Sequence, residues 1–221
     1  MMIMVIYALI TIAIFGMWYY ARYEGNFLPS PKKTFNPMML VAIVILVPGT
    51  QFAANFIANL TGYIRPDWLQ QYNELFETSG ITDTTFVTVL YSVILAPICE
   101  ELIFRGVTMR CARKALPFAL ANLMQAALFG LFHLNWIQGI YAFALGIVLG
   151  YVCERGGSIY YSMGLHLLFN LWGTLSGFFP DPGNSVVVFV IVIAVTIVSL
   201  AAGFVLFNKG RRKLPINSTG I

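Results

Sequence analysis

The sequence predicts an all-α, polytopic transmembrane helical bundle of about seven spans, with the N-terminus outside and the C-terminus in the cytoplasm. Of the 221 residues, 59% are hydrophobic and only 10% are charged, whereas soluble domains carry about 25% charged residues. This balance and a mean hydropathy of +0.79 indicate that lipid is the main solvent of the chain. We expect a single membrane domain over residues 1–221.

Seven stretches are apolar enough to be membrane helices, which need about 20 mostly apolar residues. The first stretch lacks the basic start and the small-residue cleavage site of a signal peptide, so we expect it to be retained. The predicted spans are 1–21, 37–60, 84–104, 116–134, 137–153, 158–178 and 185–207.

The basic residues set the orientation of these spans, because lysine and arginine concentrate on the cytoplasmic side of a membrane. If the C-terminus is cytoplasmic, alternation of the spans places every basic residue on that side except Arg65. The net charge of +4 is then a consequence of topology, and nucleic acid is not an expected partner. The expected location is a cell membrane, crossed several times, and the small size and basic tail favour a bacterial plasma membrane.

The external loop between the second and third spans contains an amphipathic segment. Its apolar residues fall on one helical face, which is typical of a helix lying in the membrane interface. A structural interfacial helix is the favoured interpretation, and a lid over a site is the alternative. The residues of this face are Trp68, Leu69, Tyr72, Leu75 and Phe76.

Ionisable residues inside the spans are the candidates for function. A charge at the centre of a bilayer costs at least about 2.5 kcal/mol, so such residues are rare without a role. The spans contain Glu100, Glu101, His133 and His166, and Arg105 lies at the cytoplasmic edge of the third span. Both histidines of the chain are therefore predicted to lie within the membrane.

The two adjacent glutamates are expected to differ, because neighbouring residues point about 100° apart around a helix. Glu101 and Arg105 are four residues apart, in the order that favours an ion pair. Glu101 is therefore predicted to be ionised and structural. Glu100, desolvated and without a partner, is predicted to be a general base.

The remaining polar residues of the spans are expected to meet Glu100. His133 should lie at a similar depth, because the third and fourth spans form an antiparallel hairpin, and we expect the site to lie in the cytoplasmic half of the membrane. His166 and Asn170 are four residues apart and share one helical face. They suit a developing oxyanion and equally suit a hydrogen bond between helices, and the residues alone leave both open.

Two further groups of residues are interpreted as packing residues. Ala142, Gly146 and Gly150 form a stripe of small residues that predicts close approach of two helices. The three cysteines show no ligand spacing and are expected to be packing residues. They are Cys99, Cys111 and Cys153.

Three short motifs occur in order on separate predicted spans. The sequence reads Glu100-Glu101-x-x-x-Arg105, then Phe129-x-x-x-His133, then His166-x-x-x-Asn170. In this combination the chain resembles the CAAX protease and bacteriocin-processing membrane proteins, also called the CPBP or Abi family. The resemblance covers about residues 84–178, which we interpret as the catalytic helical core.

The resemblance implies a glutamate-dependent intramembrane endopeptidase that acts on a peptide or protein, such as a peptide precursor or a lipidated tail. By analogy with the family, Glu100 and His133 activate a water, and His166 and Asn170 stabilise the tetrahedral intermediate. The supporting residues are Glu101 and Arg105. No metal or other cofactor is expected.

Other functions are compatible with the same residues. Two histidines and a glutamate can hold zinc with an open fourth position, although HExxH is absent from the sequence. The family resemblance also includes bacteriocin self-immunity proteins and non-enzymatic membrane scaffolds, in which the polar cluster would bind a partner or hold the bundle. A transporter with a proton relay is a further alternative.

Overall fold

A computed structural model describes residues 2–21, 35–79, 85–176 and 185–211. These ranges contain eight helices and no strand, so the all-α prediction is confirmed. In chain order the helices are α1 (Met2–Tyr19), α2 (Pro37–Ile64), α3 (Pro66–Ser79), α4 (Phe86–Ala112), α5 (Phe118–Phe132), α6 (Trp136–Gly156), α7 (Ile159–Ser176) and α8 (Val186–Arg211).

Seven of these helices coincide with the seven predicted spans, and α3 lies in the predicted external loop. By length and composition, α1, α2, α4, α6 and α8 are able to cross a membrane. Helices α5 and α7 are shorter or more polar, with 15 and 18 residues. The prediction of a multi-pass helical bundle with about seven spans is confirmed.

A serine hydroxyl joins α2 to α8 close to the proline of α2. Pro48 has no N–H, which weakens the helical hydrogen bonding around it. The Ser199 hydroxyl donates to the Ile45 carbonyl and accepts from the Gly49 N–H, at 2.9 Å for the latter. In an uninterrupted helix these two backbone groups would bond to each other. The hydroxyl therefore replaces one intrahelical bond with a bridge between two helices.

One end of the bundle, called the basic end below, collects the cytoplasmic ends of the predicted spans. Asn36, before α2, donates a side-chain hydrogen bond to the Gly210 carbonyl of α8 at 3.0 Å, and its backbone N–H donates to the Tyr161 hydroxyl of α7. Arg113 pairs with Glu154 of α6 at 3.1 Å. The described basic residues at this end are Arg110, Arg113, Lys114, Arg155, Lys209 and Arg211.

The opposite end, called the α3 end below, carries the amphipathic helix. The Trp68 ring stacks on Trp136 at the start of α6, with 5.3 Å between ring centroids. The Arg65 guanidinium lies 4.2 Å from the centroid of the Trp68 ring. Tryptophan is enriched where membrane meets water, so these contacts agree with the predicted interfacial helix. The side chain of Phe76 lies outside the described part of the structure.

The glycines of α6 allow α5 to approach closely, as the small-residue stripe predicts. A Cβ on Gly146 would lie 3.1 Å from Ala126. A Cβ on Gly150 would overlap the Asn122 side chain, whose amide donates to the Ile147 carbonyl at 3.0 Å. The close contact therefore depends on glycine at both positions and includes hydrogen bonds between the helices.

Replacing Gly150 with alanine is expected to lower the free energy of unfolding by about 1–3 kcal/mol, the usual cost of overpacking. The matched control is Gly164→Ala on α7, where nothing lies within 4 Å of the added Cβ and alanine is the better helix former. Thermal unfolding in detergent measures both. Equal melting temperatures for the two variants would contradict the assigned α5–α6 contact.

The cysteines do not all behave as expected. Cys99 and Cys153 are buried, whereas Cys111 is exposed near the basic end of α4. The interpretation of Cys111 as a packing residue is therefore wrong. Position 111 lies past the apolar part of the span, where the helix reaches the basic end, and sequence spacing did not distinguish it from the two buried thiols.

Candidate active site

The two glutamates lie in a part of α4 that departs from ordinary α-helix geometry. Wider π-helical turns occupy Leu90–Leu95 and Leu102–Met109, on either side of Glu100 and Glu101. Such turns are rare in proteins, and those that do occur are often found at functional sites. Because they shift the register of the helix face, they change which side chains of α4 point toward the neighbouring helices.

Glu101 and Arg105 form the predicted ion pair, and both side chains are fully buried. The Arg105 Nη1 donates to Glu101 Oε1 at 2.9 Å. The same guanidinium lies 4.4 Å from the centroid of the Phe129 ring, and its Nη2 donates to the Gly146 carbonyl at 3.4 Å. Arg105 of α4 thus contacts α5 and α6 while it pairs with the Glu101 carboxylate. These contacts agree with a structural role for the Glu101–Arg105 pair.

His166 lies between the two carboxylates. Its Nδ1 is 3.0 Å from Glu101 Oε1, and its Nε2 is 3.6 Å from Glu100 Oε2. The expectation that Glu100 has no partner is therefore wrong. The helix-face argument considered α4 alone, whereas the second partner comes from α7. A neutral imidazole donates from one nitrogen only, and a protonated ring donates toward both glutamates.

His133 caps the C-terminus of α5, and a backbone contact sets its tautomer. Its Nδ1 lies 2.8 Å from the Phe129 carbonyl oxygen. A carbonyl only accepts, so Nδ1 carries the hydrogen and Nε2 is left as an acceptor. The Phe129 ring packs edge-on against both imidazoles, with centroid distances of 4.9 Å to His133 and 5.7 Å to His166. Phe129 therefore packs against both histidines.

Asn170 satisfies a carbonyl that the wide turns of α4 leave without a helical donor. The N–H of Ala96 bonds to the Tyr91 carbonyl, five residues back, and Pro97 has no N–H. The Ser92 carbonyl instead accepts from Asn170 Nδ2 at 2.8 Å. One amide hydrogen of Asn170 thus forms a bond between helices, and the second remains for other uses.

All four predicted catalytic residues line one cavity of about 880 Å³. The structure therefore brings together Glu100, His133, His166 and Asn170, while the buried pair Glu101 and Arg105 lies behind them. Cys99 is not part of the lining. The described lining contains no lysine or arginine, and its polar groups outside the three motifs are mainly amides and hydroxyls. These include Gln51, Asn55, Ser92, Gln138, Thr174 and Ser176.

Helix α3 forms part of the cavity wall through Tyr72 and Leu75. Tyr72 is hydrogen-bonded to Tyr141 of α6; burial raises the pKa of the Tyr72 hydroxyl, and this bond lowers it in part. The helix thus covers one side of the site, which the alternative interpretation as a lid requires. It also carries the interfacial contacts of Trp68, so the two interpretations are compatible.

The cavity lies between Glu100 and the α3 end. Its lining includes Thr88 in the first turn of α4 and Ser176 at the end of α7. His133 follows the end of the short helix α5 that is remote from the basic end, and Glu100 lies near the middle of α4. The expectation that the site lies in the cytoplasmic half stays a prediction.

The zinc alternative receives no support from the arrangement of donors. In the part of the chain that the structure describes, no three His, Cys, Asp or Glu side chains converge in a way that could hold a metal ion. His133 donates to a backbone carbonyl, and His166 contacts two carboxylates. Both histidines therefore have hydrogen-bonding roles in the structure.

Residues 82–172 match a family model described as type II CAAX prenyl endopeptidase Rce1-like. The predicted family resemblance is confirmed. The Rce1-like segment contains all three motifs and includes α4, α5, α6 and most of α7. The matched model is of a family of membrane proteases, and this likeness favours a peptide or protein substrate at the membrane. No curated protein and no solved structure matches the chain.

Sequence reasoning missed the polar residues of the cavity outside the Rce1-like segment. Gln51 and Asn55 are four residues apart on α2, so they share one face of an otherwise apolar span. That spacing was the available signal. Gln51 is 7% exposed; its Nε2 makes one long hydrogen bond of 3.4 Å to Asn55, and its Oε1 accepts none from the described residues.

Replacing Gln51 with methionine is expected to leave the stability unchanged or to raise it, because the buried amide is poorly satisfied. The matched control is Gln125→Met on α5. Gln125 is fully buried and donates to Asn122 and to the Gly146 carbonyl at 2.7 and 2.9 Å, so its loss is expected to cost about 1–3 kcal/mol. Thermal unfolding measures the melting temperatures of both variants. A larger drop for Gln51→Met than for Gln125→Met would show that the Gln51 amide makes stabilising hydrogen bonds.

Proposed function

We propose that the protein is an intramembrane endopeptidase of the CPBP type, which hydrolyses a peptide bond with a water activated by Glu100 and His133. The observation that carries the proposal is the convergence of Glu100, His133, His166 and Asn170 on one cavity. The match of residues 82–172 to a family of membrane proteases supports it. The cavity is large enough for an extended peptide segment.

The first step is the attack of water on the scissile carbonyl carbon. Glu100 accepts one proton of the water, and the bare Nε2 of His133 accepts a hydrogen bond from the other. The C–O bond forms as the carbonyl π electrons move to oxygen. Glu101 and Arg105 hold the site from behind, because their buried ion pair fixes His166 against Glu100.

The second step is the collapse of the tetrahedral intermediate. The free amide hydrogen of Asn170 donates to the oxyanion. The His166 ring is protonated in this step, so that its Nδ1–H donates to Glu101 and its Nε2–H donates to the oxyanion. Glu100 returns its proton to the departing nitrogen as the C–N bond breaks. The products are a new carboxyl terminus and a new amine, and no covalent enzyme intermediate or metal takes part.

The proposed location is the plasma membrane of a bacterium.

The purified wild-type protein in proteoliposomes tests this proposal. A panel of prenylated and unprenylated peptides is incubated with it, and mass spectrometry identifies the fragments. We expect at least one peptide to give two fragments that meet at a single bond, at an unchanged rate in a strong chelator. Loss of cleavage in chelator and its return with zinc would favour the zinc-dependent protease. No cleavage by a folded protein would favour the scaffold or self-immunity protein.

A further inference from the structure

The two ends of the bundle differ in charge, and the cavity lies toward only one of them. The basic end carries six described lysines and arginines, and the α3 end carries one described arginine, Arg65, which pairs with Asp67 at 2.6 Å. Two acidic residues of α3, Glu74 and Glu77, also lie at the α3 end. Lysine and arginine mark the cytoplasmic side of a membrane protein, so the α3 end is the external one.

The cavity reaches the external end along several helices. Tyr72 and Leu75 line it from α3, Thr88 from the first turn of α4, and Ser176 from the last residue of α7. All of these lie on the side of Glu100 that is remote from the basic end.

The bundle is closed between Glu100 and the basic end. The Glu101–Arg105 pair is fully buried there. Large side chains beyond it are also buried, among them Met109, Leu149 and Tyr161. A substrate approaching from the basic end would have to displace this packed core, whereas the cavity already connects Glu100 to the α3 end.

We propose that the cavity takes its substrate from the external face of the membrane. The substrate class is then an exported or membrane-anchored polypeptide that presents an extended segment on the outer side. The proposal rests on the proposed peptidase function for its chemistry, and on charge and geometry for its direction. With Glu100 inside and no lysine or arginine in the described lining, the cavity favours neutral or basic segments over acidic ones.

Thiol labelling tests the side of entry without requiring catalysis. The cavity reporter is Ser92→Cys in a Cys111→Ser background, because Ser92 lines the cavity and only its carbonyl binds Asn170. The reporter of the basic end is the native Cys111, which is exposed. Cys111→Ser alone controls for the two buried thiols, Cys99 and Cys153. The probe is a charged, membrane-impermeant maleimide, added to sealed spheroplasts before and after permeabilisation.

We expect the maleimide to label Ser92→Cys to completion in sealed spheroplasts, and to label Cys111 only after permeabilisation. Labelling of Ser92→Cys only after permeabilisation, or at neither stage, would overturn the proposal. A peptide that the purified protein cleaves should also be cleaved outside sealed spheroplasts, and cleavage only after permeabilisation would overturn it as well. Failure of the purified protein to cleave any peptide contradicts the peptidase function alone, because labelling still decides the side of entry.

Discussion

Replacing Glu100 with glutamine is expected to reduce kcat for peptide cleavage by at least about 100-fold, the lower end of what a general base contributes. Glutamine keeps the shape of the side chain and removes its ability to accept a proton. The 3.6 Å separation from His166 Nε2 allows the amide to keep a weak contact there. We therefore expect the variant to fold, with a melting temperature close to that of the wild type.

The matched control for this variant is Glu77→Gln on α3, which makes the same chemical change on an exposed side chain. It should cleave at the wild-type rate. Cleavage kinetics and thermal unfolding are measured on the same preparations. If Glu100→Gln cleaves as fast as Glu77→Gln, Glu100 is not the general base and the proposed mechanism fails. Loss of both cleavage and folding in Glu100→Gln would instead show that Glu100 has a structural role.

Replacing Arg105 with methionine is expected to cost about 3–5 kcal/mol of stability, because it leaves a buried carboxylate without its cation. Glu101 and Arg105 are both fully buried, and His166 Nδ1 is the other close partner of Glu101 Oε1. The substitution also removes the contact of the guanidinium with the Phe129 ring. All variants are made in a Cys111→Ser background, and a dye that fluoresces on reaction with the buried thiols of Cys99 and Cys153 measures the thermal unfolding in detergent.

Two further variants separate the ion pair from other effects. The double variant Glu101→Gln with Arg105→Met removes both charges, and we expect it to be more stable than Arg105→Met alone. Arg65→Met breaks the exposed Arg65–Asp67 pair, which water screens, and should change the melting temperature little. Equal melting temperatures for Arg105→Met and Arg65→Met would show that the buried pair does not stabilise the bundle.

The arrangement of helices along the chain was largely predictable, because each span must satisfy its own backbone and expose apolar side chains to lipid. These requirements are local, so hydropathy located all seven spans, and the amphipathic pattern from Trp68 to Leu75 located α3. The Glu101–Arg105 pair was predictable for the same reason, since residues four apart on one helix meet whatever surrounds them.

The contacts of the site were less predictable, because they join residues that are far apart in sequence. Glu100 was expected to lack a partner, yet His166 reaches it from α7. For Asn170, the sequence left two roles open, a donor to an oxyanion and a hydrogen bond between helices. Its bond to the Ser92 carbonyl depends on wide turns in α4, and no pattern in the sequence indicated them.

The helical membrane character of the chain, the ionisable residues within its spans and the basic end of the bundle can all be read from the sequence. These properties follow from composition, periodicity and charge order, which act along the chain. Three features needed the packed bundle: the position of the cavity toward the α3 end, the place of Gln51 in its lining, and the position of His166 between Glu100 and Glu101. These features depend on how the helices pack side by side, because packing brings together side chains that are far apart in the sequence.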